Sequence, residues 1–390
     1  MMDVFIHHRK TDMTFGRSLL SALVLGIFAA PVFAASPSYS VTMLNTGNWD
    51  RWRLIDNGGA LYGESMGFSA SYSNGKVNVM HVSDSPAPSG AVLAISKAGH
   101  IASYEYWTTA RDYPNADGYL TFNGTSTRLG ALGSDYTSLT TFANGVNDAG
   151  TVVGESRTNI RIPGGEPGYP RFASHAFIYA NGKMRDLGTL GGTESSAAAI
   201  NNGGTIVGTA QNAGHDSRAF IYQNGRMSDL GTFGGSSSLA NDINDAGLVI
   251  GQSARDEYGY VKSAFVYANG AMTDLGWGAQ GSSNAVDINE LGQIVGYGAD
   301  ANGQTRGFIY QNGQLLQLDT AVDPSANWII KATYSINDKG LILADACKLG
   351  VCGTVVLSPV PEPETYAMML AGLGLLGVCA RRRARRKAAA

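Results

Sequence analysis

Ile243-Asn244-Asp245-Ala246-Gly247, followed by Leu248-Val249-Ile250-Gly251, is the stretch that decides the fold, because it recurs. An Asn-Asp-x-Gly step favours a tight turn, since Asn and Asp side chains bond their own backbone and Gly accepts positive φ. The β-branched run after it favours a strand. The same phrase stands at Ile55-Asp56-Asn57-Gly58-Gly59, Ile95-Ser96-Lys97-Ala98-Gly99, Val146-Asn147-Asp148-Ala149-Gly150, Ile200-Asn201-Asn202-Gly203-Gly204, Ile288-Asn289-Glu290-Leu291-Gly292 and Ile336-Asn337-Asp338-Lys339-Gly340. Successive copies are 40, 51, 54, 43, 45 and 48 residues apart. A period of about 40–50 residues belongs to a propeller or a solenoid.

Working outward from the phrase, each unit contains four short strands, A to D. Strand A ends at the Ile-Asn step and B follows the turn. An aromatic run such as Ala219-Phe220-Ile221-Tyr222 is C, and a run such as Met184-Arg185-Asp186-Leu187 is D. Between C and D stands an Asn-Gly pair, at Asn74, Asn123, Asn181, Asn224, Asn269 and Asn312. Asn-Gly supplies the two positive-φ positions of a type I′ hairpin. There are six pairs for seven units, and the missing one lies where the chain begins and ends. Tyr39-Ser40-Val41-Thr42-Met43-Leu44 reads as a lone D strand and Gly353-Thr354-Val355-Val356-Leu357 as a lone C strand. Pairing them completes a seventh unit and removes the open edges that a linear stack would expose. The expected class is therefore all-β, a seven-bladed β-propeller over 35–358 closed by its two terminal strands. A β-solenoid is the structural alternative, although its usual repeats are shorter.

Composition agrees. The 390 residues include 51 Gly and 12 Pro, with 15% charged residues, as expected of short strands joined by tight turns rather than of a disordered chain. The ends differ from the middle. Arg9, Lys10 and Arg17 precede the apolar run Leu19–Ala30, and Val32-Phe33-Ala34 is an A-x-A-like site. This order defines a secretory signal over 1–34. Its apolar run is short for a membrane anchor, which is the alternative. Either Met1 or Met13 serves as a start.

At the other end, Val360-Pro361-Glu362-Pro363 precedes an apolar stretch over 366–380 and then Arg381-Arg382-Arg383-Ala384-Arg385-Arg386-Lys387. The stretch suits a thin or tilted transmembrane helix. The arginines hold its end in the cytoplasm, which turns the body outward. This tail, over 359–390, resembles the PEP-CTERM sorting signal of Gram-negative bacteria. The resemblance implies recognition and cleavage by an exosortase, passage through the inner membrane before processing, and a link to biofilm and exopolysaccharide. A permanent C-terminal anchor is the alternative. Without the signal and the tail, 19 Lys+Arg face 27 Asp+Glu, a net charge of −8. So acidic a body argues against nucleic acid as a partner. Cys347 and Cys352 remain in an oxidising compartment, where a local disulfide is expected; two buried thiols are the alternative.

The units themselves resemble the HAF repeats of bacterial extracellular proteins, most fully from His175-Ala176-Phe177-Ile178-Tyr179 through Asp186-Leu187-Gly188-Thr189-Leu190-Gly191-Gly192. Arg218 to Gly235 and Ser263 to Gly276 are close variants, and the first two units and the last are degenerate, so the resemblance covers roughly the middle 150 residues. That resemblance implies an extracellular setting and this fold; no enzymatic activity is established for the family.

In such blades the A–B and C–D turns share one face, and the B–C and D–A loops share the other. Sequence varies on the second face. Two insertions fall there, Tyr106 to Asp117 with Trp107, Arg111 and Tyr113, and Arg157 to Ser174 with Arg161, Tyr169 and Arg171. Trp49, Trp277 and Trp328 are expected in D–A loops, Trp107 in a B–C loop, and Trp52 at the same rim. Aromatic planes beside Arg and Asp suit sugars, whose C–H faces stack while their hydroxyls hydrogen-bond. Trp49, Trp107, Arg111, Tyr113, Tyr169, Trp277 and Trp328 are thus candidate glycan- or partner-binding residues. The alternative is that these aromatics cap the core.

Signals for an enzyme are weak. The exported part holds only His81, His100, His175 and His215, with no HExxH spacing and no G-x-S-x-G elbow, so no catalytic group, metal or cofactor is expected. Asp242 and Asp287 share one strand-A slot near the channel and would serve a polysaccharide-cleaving enzyme only as a close carboxylate pair. Three readings follow: a matrix or envelope binding module, a purely structural surface protein with a protein partner, and a polysaccharide-active enzyme.

Overall fold

Each repeat folds as one antiparallel sheet of four strands, and seven such sheets make a β-propeller. The computed structural model describes residues 38–44, 50–80, 89–108, 114–133, 140–166, 169–278 and 281–360. The innermost strands, A of blades 1 to 7, are Arg51–Ile55, Ser89–Ile95, Thr141–Val146, Gly191–Ile200, Ser238–Ile243, Ser283–Ile288 and Trp328–Ile336. All six Asn-Gly pairs turn as type I′ hairpins, with Asn φ from 49° to 53° and Gly φ from 74° to 81°.

The seventh blade is assembled from both ends of the chain. Its outer strand, Tyr39–Met43, pairs antiparallel with Val351–Pro359 in the register Tyr39↔Pro359 to Met43↔Val355. Val360 N donates to Ser38 O at one end of the seam and Leu44 N donates to Thr354 O at the other, and Tyr39 N donates to Ala321 O. Cys347 and Cys352 face each other across the neighbouring hairpin and form a disulfide. The expected signal peptide over 1–34 and the expected transmembrane helix over 366–380 lie outside the described residues.

Blade packing rests on a pairing of large with small. Phe177, Phe220, Phe265 and Phe308, fully buried in strand C of blades 3 to 6, lie opposite Gly154, Gly208, Gly251 and Gly296 in strand B. A side chain at Gly251 has no room: its Cβ would run into the carbonyl of Leu239 and lie 3.0 Å from Ala240 Cα. The cause is local. All seven innermost strands carry one extra residue against strand B at the same place, Asn241 in blade 5, and those of blades 4 and 7 shift once more toward their starts. Such a bulge bends the strand toward its partner and re-aims its side chains.

Neighbouring blades are joined by the Asn of the repeated phrase. Asn147, Asn201, Asn244, Asn289 and Asn337 each donate Nδ2 to the backbone carbonyl of the equivalent residue one blade on, at 3.2, 3.1, 3.2, 2.9 and 2.7 Å. The last of these links, from Asn337 to Asp56 O, joins blade 7 to blade 1. Meanwhile Oδ1 accepts backbone N–H groups of its own A–B turn, from Leu248 in blade 5 and from both Lys339 and Leu341 in blade 7. In blades 1 and 2 the residues are Asp56 and Ser96, which satisfy their own turns but have no amide to pass on.

Asn244→Ala removes the inter-blade bond to Asn289 O, which keeps only Gly292 N, and leaves the turn N–H of Leu248 without its acceptor. It is expected to lower unfolding free energy in urea by about 1–3 kcal/mol for each buried group left unpaired. Gly251→Val should destabilise at least as much, by about 1–3 kcal/mol of overpacking, and a melt unchanged by it would refute the close approach of strands A and B.

Candidate functional site

The bulges build the central channel. Each one turns two successive residues inward, so that a cavity of 720 Å³ is lined by strand A of every blade. The bulged positions Arg53, Asn144, Asn241 and Tyr334 supply much of its polarity. Arg53 lies over the Tyr334 ring at 4.7 Å, and Tyr334 Oη donates to Asp345 at 2.6 Å. At the A–B mouth Lys97 of blade 2 reaches over blade 1 to Glu290 and Asp338, at 3.2 and 3.3 Å. Two further acids of that mouth, Asp148 and Asp245, each accept from Asn202 Nδ2 at 2.9 Å.

Asp242 and Asp287, one slot after the bulge in blades 5 and 6, are hydrogen-bonded to each other. Burial, the Asp287 charge and this hydrogen bond push the Asp242 carboxyl well above the usual range. A like charge so near disfavours ionisation of Asp242, and burial disfavours it further. Both groups are also engaged with backbone. Asp242 accepts from Ile243 N at 2.8 Å and from Ile288 N of the next blade at 3.2 Å, and Asp287 accepts from Ile336 N at 2.7 Å. Ser335 occupies the same slot in blade 7 and accepts from Ile55 N at 3.4 Å. The slot is thus an inter-blade clamp in three consecutive blades. The sequence shows the shared slot; only the ring brings the two carboxyls into contact.

The variable face differs from expectation in detail. The described parts of the two insertions extend strands B and C. Trp107 lies within strand B of blade 2, Ile101–Thr108, paired with Asn115, and Tyr169 begins strand C of blade 3, paired with Glu166. A hairpin prolonged past the sheet keeps its ladder hydrogen bonds, which an open loop of this length would forgo. Trp328 opens strand A of blade 7 rather than sitting in a D–A loop, with Lys348 Nζ 5.3 Å above its ring. Trp277 is in its D–A loop, half-buried. Its Nε1 donates to Ala299 O at 2.8 Å and its ring lies 5.5 Å from that of Phe308. Trp52 is 1% exposed and packs in the core beside Leu343. Trp49, Arg111 and Tyr113 lie outside the described residues, as do Pro361, Glu362, Pro363, Arg381, Arg382 and Arg383 of the sorting motif. Val360 is described and exposed.

Sequence reading passed over Tyr258 and Tyr260 in the B–C loop of blade 5, which are 75% and 80% exposed. The available signal was the longer B–C spacing there, with a Tyr-Gly-Tyr between acidic and basic residues. Among the described residues no group of three or more His, Cys, Asp or Glu is placed to hold a metal ion.

Residues 359–383 match the PEP-CTERM protein-sorting motif. That motif is an exosortase recognition signal, so the chain is an exported envelope or surface protein with a propeller body. Residues 232–351, in blades 5 to 7, match a protein family of unknown function, DUF3466. No curated protein matches the chain. Solved structures similar to it include TolB from Acinetobacter baumannii, at 12% identity and a TM-score of 0.38 over 78% of this chain and 64% of TolB. The β-propeller domain of the Trilobed protease from Pyrococcus furiosus is similar at 9% identity and a TM-score of 0.43, over 71% and 82%. A fucose-specific lectin from Aleuria aurantia is similar at 11% identity and a TM-score of 0.33, over 83% and 96%. The chain spans 64% of TolB's length. At such identities the likeness concerns the propeller fold alone.

The raised carboxyl sets a sign for pH. Between its ordinary and its raised pKa, Asp242 binds a proton in the folded state that the unfolded chain has released, so stability falls as pH rises through that window. Asp242→Asn cannot ionise and keeps a donor for Asp287. Its melting temperature, measured from pH 4 to pH 8, should decline less with pH than that of the wild type.

Proposed function

We propose that this protein is a non-catalytic binding propeller of the cell envelope or extracellular matrix. It is delivered by a signal peptide and an exosortase-processed tail, and it holds exopolysaccharide on its variable face. The observation that carries this reading is the junction of ring and tail. The closing strand ends at Pro359, Val360 N donates to Ser38 O, and the sorting motif starts at residue 359. A cut beyond Val360 therefore releases a complete ring, as a body destined for the matrix requires. The HAF-like phrases, with their extracellular associations, support the same setting.

A non-catalytic role is supported by the channel carboxyls. Glycoside hydrolysis needs two carboxyl groups about 5–5.5 Å or more apart, one free to ionise and one to deliver a proton. Asp242 and Asp287 instead share a hydrogen bond and serve backbone groups of the next blade. A structural surface protein that engages a protein partner is the second reading, favoured by the packing contacts that already occupy Trp277.

Two measurements test the proposal. Mass spectrometry of the protein from its host should find no peptide beyond the Pro-Glu-Pro region; an intact tail would mean a permanent anchor. The purified protein should also bind exopolysaccharide from the same host saturably and without shortening it. Release of reducing ends would instead make it an enzyme.

A further inference from the structure

We infer that the B–C loop of blade 5, residues 255–261, is a carbohydrate-binding site whose platform is the pair Tyr258 and Tyr260, and that its ligand is a neutral pyranose of a polysaccharide chain. This rests on the glycan-binding reading above and assigns it a place. The two rings stand 5.8 Å apart between centroids, at 28° to each other, and both are largely in solvent. Exposure of two neighbouring aromatic rings forfeits hydrophobic stabilisation. The loop holds them out rather than folding them in.

The loop is rigidly fixed by a single side chain. Asp256 Oδ1 accepts from Tyr258 N and Tyr260 N, each at 3.0 Å, and Oδ2 accepts from Val261 N at 2.6 Å. Gly259, at φ 73°, returns its N–H to Asp256 O at 3.1 Å, a conformation that a larger residue resists. Arg255 N donates to Val261 O at 2.9 Å and closes the base, where the Arg255 guanidinium pairs with Asp274. Neighbouring loops brace it: Ser282 Oγ donates to Tyr260 O at 3.1 Å, and Ser236 N donates to Asp256 O at 3.3 Å. The entropy of ordering the platform is therefore spent on folding and not on binding. The hydrogen bond from Val261, with those from Tyr260, Tyr258 and Gly259, holds the Asp256 carboxyl below its usual range, so the clamp persists in mild acid.

Size and chemistry select the ligand. Two tyrosines amid Gly, Ser, Glu and Lys fall far short of the ~800 Å² per partner of a stable protein interface. They match one or two sugar rings, whose C–H faces stack on aromatic planes. Hydroxyl groups stand ready at the edge, since a Cβ built on Gly259 would lie 3.0 Å from Ser236 Oγ and 3.6 Å from Ser237 Oγ. Asp256 and the exposed Glu257 adjoin the rings on a body of net charge −8, which disfavours a polyanion.

The test is affinity electrophoresis and calorimetry of the purified protein with the host exopolysaccharide, a β-glucan, a galactomannan and a polyuronate. Saturable binding of at least one neutral polymer is expected, without binding of the polyuronate. Tyr258→Ala and Tyr260→Ala should each weaken it by about tenfold or more, the equivalent of one lost stacking contact. Tyr258→Phe should stay within a few-fold, and the melting temperatures of all three should match the wild type. If the double alanine variant binds like the wild type, the site is overturned and the glycan-binding reading survives. Preference for the polyuronate overturns the neutral ligand. Failure of the wild type to bind any of the four overturns the reading and the site together.

Discussion

A carboxamide on each inner turn holds this molecule in a ring. The Asn of the repeated phrase satisfies its own A–B turn through Oδ1 and gives Nδ2 to the next blade's backbone, in a buried layer where an unpaired amide or carbonyl is costly. No other side chain of this length has both an acceptor and a two-proton donor. The belt runs from blade 3 through blade 7 to blade 1 and stops where Asp56 and Ser96 replace Asn. Lys97 crosses the mouth at that place and ties blade 2 to blades 6 and 7. Its side chain is partly in solvent, so this strap is worth less than the links of the belt.

The bulge is the second constraint and links packing to the channel. In blades 3 to 6 the residue inserted into strand A leaves space only for Gly opposite it in strand B, and that Gly makes room for the buried Phe of strand C. The same distortion turns Asn241 and Asp242 inward together, where regular alternation would have sent one of them outward. Channel polarity and inter-blade packing thus have one origin. The approach of Asp242 to Asp287 is a product of this geometry.

Division of labour between the faces follows. Uniform turns on the A–B side are tied up by the belt and by the ring of Asn57, Asp148, Asn202, Asp245, Glu290 and Asp338. The opposite side carries loops of unequal length that the belt does not constrain, and Tyr258 and Tyr260 stand there. The tail leaves from the blade that closes the ring, so export and closure use the same end of the chain.

Much of this was legible in the residues alone. The repeated phrase, the Asn-Gly hairpins and the complementary terminal strands depend on backbone conformations within four or five residues, and turn chemistry of that range is written locally. Four strands per blade, seven blades and closure between Tyr39–Met43 and Val351–Pro359 follow from counting them. The exposure of a given aromatic was not legible, because it depends on what neighbouring blades and loops bring against it. Trp52 is covered by blade 7, Trp277 is held by the hairpin of blade 6, and Tyr258 and Tyr260 are held out by a carboxylate two and four residues away. The contact of Asp242 with Asp287, 45 residues apart, likewise exists only because two bulged strands converge on one axis. Local chemistry determined the repeat and its turns; the convergence of seven repeats decided which side chains meet, which are buried and which remain free to bind.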